Sequence, residues 1–170
     1  MANSFDMVVV GLGHAGCEAA LAGARLGLQV AGVTLRADRI AVMSCNPAIG
    51  GTAKGHLVRE LDALGGEMGR AADLTGTHFK TLNASRGPAV RASRVLCDRD
   101  AYAAQMQAAL AAEPRLTLVE GEVEAVLAEG GFVQGLRLRG GRELVARAVV
   151  LTTGTFLQAL MHVGESRSLG

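Results

Sequence analysis

The stretch Met7–Gly27 reads MVVVGLGHAGCEAALAGARLG, and it decides how the rest of the chain is read. Met7 to Val10 is a short β-branched run that stops at a glycine, the mark of a buried strand. Gly11-Leu12-Gly13-His14-Ala15-Gly16 follows, and then an Ala-rich segment, Cys17 to Leu26, with helical character. Gly27 ends that helix, as a C-terminal glycine does. Gln29 to Leu35 reads as a second strand. Strand, glycine turn, helix and strand make a βαβ unit over residues 5–36, and such a crossover implies a parallel pair with a right-handed connection.

GLGHAG fits G-x-G-x-x-G in the setting that gives the motif its meaning, with a strand before it and a helix after it. Gly11 permits the tight turn, Gly13 leaves room for a pyrophosphate at the backbone, and Gly16 lets the helix pack closely. The helix N-terminus offers free N–H groups and partial positive charge to phosphates. The acidic residue expected at the end of the second strand, to hold the ribose hydroxyls, is missing. The strand ends Val33-Thr34-Leu35-Arg36, with Asp38 slightly late. Thr34 offers a ribose a weaker hydrogen bond than a carboxylate would, and Arg36 suggests a 2′-phosphate. FAD, NAD and NADP all remain open on spacing alone.

Further along, Ser44 to Gly51 (SCNPAIGG) is a loop, punctuated by Pro47 and Gly50-Gly51. Thr52 is placed to cap a helix over Ala53–Leu64, where Leu57, Leu61 and Leu64 fall at helical spacing, so loop and helix together span 44–66. Lys80 to Arg94 lacks a clear period and reads as extended or loop. Residues 98–112 form a helix closed by Pro114, and Leu116 to Glu120 a strand. Residues 122–147 read as a small antiparallel meander. Ala148 to Thr152 reads as a separate closing strand, running into Thr153-Gly154-Thr155 (148–155). The fold class is therefore α/β: a Rossmann-like dinucleotide-binding fold with a parallel sheet, flanking helices and a small meander.

Composition sets outer limits. The chain has 170 residues, 49% apolar and 19% charged, which suits one folded domain and excludes disorder. Aromatics are 3% with no Trp, which argues against a base-stacking RNA-binding sheet. Net charge is +1, so there is no strongly basic tail, although a local patch is allowed. That patch is residues 80–99, where Lys80, Arg86, Arg91, Arg94 and Arg99 face a single acid, Asp98. Cys17, Cys45 and Cys97 lack CxxC spacing, which argues against a disulfide framework and a structural zinc site. Neither a signal peptide nor a membrane span is legible, and the expected compartment is the cytoplasm.

SCNPAIGGTAKGHLVRELDALGGEMGRAAD (Ser44–Asp73), with GLGHAGCEAA before it and LNASRGPAVRASRVLCDR and VVLTTGTFL after it, resembles the MnmG (GidA) family over essentially the whole chain. Those enzymes use FAD and help install the 5-carboxymethylaminomethyl group on the wobble uridine of certain tRNAs. The resemblance implies FAD as cofactor, held by the loop Gly11, Leu12, Gly13, His14, Ala15 and Gly16. Thr34 is the residue type the family carries at the end of the second strand, and Val123 matches a position that contacts FAD through its backbone. Cys45 matches a cysteine important to the modification chemistry and is the one catalytic candidate. Cys45 also sits near a helix start, where positive potential favours a thiolate. Lys54 is a further candidate, as a cation near the flavin edge.

For the whole enzyme the resemblance implies NADH, reduced folate, tRNA, the partner GTPase MnmE and a homodimer, with no membrane. Family members run to several hundred residues, so the expectation is an N-terminal piece of the FAD-binding domain, residues 1–170, incomplete as a domain. The alternative is a truncated, non-catalytic FAD-binding module. A generic NAD(P)-dependent dehydrogenase fits SCNPAIGG poorly.

Overall fold

A computed structural model describes residues 4–44, 46–155, 157 and 160–169. The first half contains β1 (Ser4–Val10), α1 (His14–Arg25), β2 (Val30–Thr34), β3 (Ala48–Gly50), α2 (Lys54–Ala63), α3 (Met68–Thr75) and β4 (Gly76–Leu82). The second half contains β5 (Ala92–Cys97), α4 (Arg99–Ala111), β6 (Leu116–Glu120), β7 (Val123–Glu129), β8 (Phe132–Leu138), β9 (Glu143–Leu151), β10 (Leu160–Val163) and β11 (Ser166–Leu169). A six-stranded sheet in the order β6-β2-β1-β9-β8-β7 forms the centre. Its first four strands run parallel, and β8 and β7 add antiparallel pairs at one side. The fold is Rossmann-like α/β, as the βαβ pattern predicts.

β1 sits between β2 and β9 and is covered on both faces, which is why it reads as an unbroken apolar run. On one face Val9 packs with Leu21 and Ala24 of α1 and Tyr102, Met106 and Leu110 of α4. On the other, Val8 and Val10 meet Leu136 and Leu138 of β8 and Leu144 and Ala146 of β9. The meander is thus part of the main sheet and supplies one wall of the core.

Three readings change. Residues 143–151 form one strand rather than a meander strand followed by a closing strand. Glu143–Val145 pairs with β8, Val145–Leu151 runs beside β1, and beyond Val145 the strand has lost β8 as a ladder partner. The change of surroundings changes the hydrophobic pattern without breaking the backbone. Residues 80–94, read as extended or loop, are both: Lys80–Leu82 and Ala92–Arg94 are strand ends of a second, antiparallel sheet, β3-β5-β4, and a loop joins them. β4 is exposed along nearly its whole length, so no apolar period marks it. Of the leucines that predict α2, Leu57 at 64% and Leu64 at 87% are exposed and only Leu61 is half-buried, and the helix seats on Gly55 and half-buried Val58 instead. Thr52 does not cap α2; the N-cap is Ala53, without a side-chain bond.

One charged tie joins the two halves of the helical layer. Buried Glu18 of α1 accepts hydrogen bonds from the backbone N–H groups of Glu67, at 3.0 Å, and Met68, at the start of α3. A carboxylate at a helix N-terminus satisfies donors that have no partner inside the helix and meets the positive end of its dipole. Glu67 in turn pairs with Arg25 at the end of α1, at 2.6 Å. Glu18→Ala is expected to lower stability by about 2 kcal/mol, the loss of a charge-assisted bond to buried donors. Urea unfolding measures this, and an unchanged midpoint would show that α3 does not depend on the tie.

Candidate functional site

The glycine turn is built from backbone contacts too close for side chains. Gly11 has φ +90°, and a Cβ there would come within 2.5 Å of the Thr152 carbonyl oxygen. A Cβ on Gly16 would overlap the Gly11 carbonyl oxygen and lie 2.7 Å from Thr152 Oγ1. Thr152 closes this knot. Its hydroxyl lies 2.9 Å from the Val10 carbonyl oxygen and 2.8 Å from that of Gly11, and its N–H donates to Val10 at 2.9 Å. Thr152 escapes a sequence reading, because only the register of β9 beside β1 brings it to the turn. The one signal is a hydroxyl directly after an apolar strand. Leu12 is buried against Gly32 of β2, and its carbonyl accepts from Ala41 N–H at 3.0 Å, so the turn is anchored from below.

Gly13 is different. Its φ of −74° and ψ of −167° are open to any residue. A Cβ there would meet nothing within 4 Å. Gly13 is the N-cap of α1 and gives no side-chain cap to the first-turn N–H groups. Gly13 and Ala15 are both exposed on that side.

A cavity of about 470 Å³ opens at the carboxyl ends of the parallel strands, lined by Gly11, Thr34, Glu122, Val123, Thr153 and neighbouring residues. Gly11, Thr34 and Val123, far apart in the sequence, meet here. The cavity lies where β2 leaves β1 to one side and β9 adjoins it on the other, the position at which open α/β sheets bind ligands. Thr34 Oγ1 is 3.2 Å from the Arg36 carbonyl oxygen, within the turn that leaves β2. The Arg36 guanidinium forks onto Asp38 at 2.9 and 2.6 Å, so the cation that suggests a 2′-phosphate is already engaged. That pairing holds the exposed Asp38 carboxyl below its ordinary range. Glu120, at the end of β6, accepts from Ala37 N–H at 2.9 Å and supplies a carboxylate beside the end of β2 from a neighbouring strand.

The other candidates divide. His14 is the first residue of α1, half-buried, and burial lowers its pKa, so the ring is neutral near pH 7. Cys45 lies outside the described residues. Cys17 is fully buried with its thiol on the Leu12 carbonyl at 3.4 Å, a packing residue. Cys97 ends β5, buried, and Asp98 after it caps α4 through Asp100 and Ala101 N–H. Lys54 begins α2 and is exposed. Among the described residues no group of His, Cys, Asp and Glu is arranged to hold a metal, and no helix is long and apolar enough to cross a membrane.

The basic segment forms the β4–β5 hairpin and the start of α4. Arg99 pairs with Asp100, whereas Lys80, Arg86, Arg91 and Arg94 have no carboxylate partner among the described residues. Lys80 stands directly across from Arg94 in the ladder.

The family described as "Glucose inhibited division protein A" matches residues 6–169. The chain belongs to the GidA family. A GidA relative from Myxococcus xanthus, the tRNA uridine 5-carboxymethylaminomethyl modification enzyme MnmG, is 69% identical over 100% of this chain and 28% of its own length. The enzyme of the same name from Geobacter metallireducens is 52% identical over 95% of this chain and 26% of its own. The crystal structure of Aquifex aeolicus GidA superposes with a TM-score of 0.93 at 47% identity, covering 97% of this chain and 28% of that one. The chain therefore spans about a quarter of the length of its GidA relatives.

Burial pushes the Cys17 thiol up to about 12 from an ordinary 9.0. Native protein at pH 8 should leave Cys17 unmodified by a thiol reagent, and unfolded protein should react fully. Above pH 9 the unfolded chain loses this proton and the native chain keeps it, so this thiol's contribution to stability is lost as pH rises from about 9 towards about 12. Rapid native labelling of Cys17, located by mass spectrometry, would contradict its burial.

Proposed function

We propose that this chain forms the pyrophosphate and adenosine side of an FAD site, within an enzyme that makes 5-carboxymethylaminomethyluridine at the tRNA wobble position. Gly13 carries the proposal. Among the described residues neither backbone angle nor packing requires a glycine there. The empty space beside it, next to uncapped N–H groups at a helix N-terminus, suits a diphosphate. The residues present therefore fit the cofactor.

In that role the loop Gly11, Leu12, Gly13, His14, Ala15 and Gly16 holds the pyrophosphate. Thr34 holds a ribose hydroxyl, with Glu120 close behind it. Val123 meets the adenine through its backbone, which is why an apolar side chain suffices. Bound FAD supplies two-electron redox chemistry that no side chain here provides. Cys45 remains the catalytic candidate for the uridine chemistry. NADH, reduced folate, an MnmE partner, a homodimer and a cytoplasmic location are proposed for the whole enzyme, on family membership.

The β4–β5 hairpin supports the tRNA side of the proposal. Like charges directly across an antiparallel ladder repel, and among the described residues Lys80 and Arg94 form no salt bridge, Arg94 bonding only the Asn46 amide oxygen at 3.3 Å. A phosphate between them would turn the repulsion into two charge-assisted bonds.

The site is tested by titrating the purified chain with FAD and following flavin absorbance and fluorescence. The chain should bind FAD, and Gly13→Val should bind it at least a hundredfold more weakly, about 2.7 kcal/mol. The same variant should lose only about 1 kcal/mol of stability or less, as a poorer N-cap. Equal binding by both proteins would contradict the pyrophosphate role of the loop, and failure of the unsubstituted chain to take up FAD would mean that these residues alone are not an autonomous FAD site. For the hairpin, Lys80→Ala with Arg94→Ala should reduce the salt dependence of tRNA binding by about two phosphate contacts without lowering stability. An unchanged salt slope would remove the hairpin from the RNA interface.

A further inference from the structure

Two buried polar atoms among the described residues have no hydrogen-bond partner, His14 Nδ1 and the Tyr102 hydroxyl. They belong to rings that touch. The imidazole and phenol meet edge to face, with centroids 5.7 Å apart and planes at 66°. Tyr102 is fully buried between α4 and α1, in the core cluster that includes Cys17 and Cys97. A buried tyrosine without a partner is expensive compared with phenylalanine, and such hydroxyls nearly always find an acceptor.

The other groups around the hydroxyl are already engaged. Glu18 accepts from the Glu67 and Met68 N–H groups. The Cys17 thiol donates to the Leu12 carbonyl and the Cys97 thiol to that of Val95. Burial raises the Tyr102 pKa, so the phenol keeps its proton and is a donor. Burial lowers that of His14, so the imidazole is neutral and has one nitrogen lone pair to offer.

We propose that the Tyr102 O–H donates to a single bridging water that donates in turn to His14 Nδ1, and thereby fixes His14 as the Nε2–H tautomer. Nδ1 is the buried nitrogen of a half-buried ring on the first residue of α1, so in this tautomer Nε2–H is the one left as a neutral donor for a ligand there. Tyr102 is then a positioning residue. It touches no ligand, but it selects which His14 nitrogen carries the proton. The role towards phosphate rests on the FAD proposal, whereas the tautomer does not.

Nitrogen-15 NMR of the histidine rings in the ligand-free chain tests the tautomer without a variant or a cofactor. His14 should show a protonated Nε2 and an unprotonated, hydrogen-bonded Nδ1. A protonated Nδ1, or an averaged mixture of both forms, would overturn the proposal. Tyr102→Phe should convert His14 to such a mixture while the fold is kept. It should also weaken FAD binding roughly three- to tenfold, and His14→Gln, which retains an N–H donor, should bind more tightly than His14→Ala. If Tyr102→Phe leaves the His14 nitrogen shifts unchanged, the pairing is wrong. If the shifts change as expected but FAD affinity does not, the link from Tyr102 to the ligand is wrong and the tautomer assignment stands.

Discussion

The structure turns on one contact, the approach of the Gly16 Cα to the Gly11 carbonyl, with Thr152 closed over both. The carbonyl of residue 11 occupies the space a side chain on residue 16 would need. That approach aims the first turn of α1 along the carboxyl ends of β1, β2 and β9, and the Thr152 hydroxyl ties the end of β9 to the same turn. The cavity follows from it, since its walls are the strand ends held together at this knot. Relaxing the knot would swing the dipole and free N–H groups of α1 away from the cavity.

α1 also carries the rest of the molecule. Through Glu18 it caps α3, and through Arg25 it holds Glu67 and the Gly65 carbonyl. α3 leads directly into β4, and the small sheet lies against the same apolar cluster as α1, with Ile49, Cys97 and half-buried Val95 packed into it. The helix that faces the cavity therefore also positions the basic hairpin. The two are thus held at a distance set by rigid packing rather than by a loop.

Local pattern accounts for much of this architecture. The βαβ unit, the helix 98–112 and the strand Leu116–Glu120 are legible because burial on one or both faces leaves a period in the sequence. Where surroundings change along one element, the pattern misleads, as in β9, whose two halves have different neighbours. Where exposure is nearly complete, as in β4, there is no pattern to read. α2 is legible as a helix, but its mostly exposed leucines show that periodicity gives a face and not its direction. The site was half legible. Gly11, Gly13, Gly16, Thr34 and Val123 come from motif and resemblance, whereas Thr152 and Tyr102 reach the glycine turn, and Glu120 the end of β2, through strand register and helix packing. For Gly13 the structure adds that neither its angles nor its surroundings among the described residues require a glycine.

The central claim, that the cavity beside the glycine turn takes the adenosine and pyrophosphate half of FAD, is tested most directly with ADP, which is that half. Amide chemical shifts of the labelled chain would be followed during an ADP titration. Saturable shifts concentrated at residues 11–16, 34 and 121–123 are the result expected. No shifts at these positions, or shifts confined to the separate cleft between α2, α3 and β5, would contradict it.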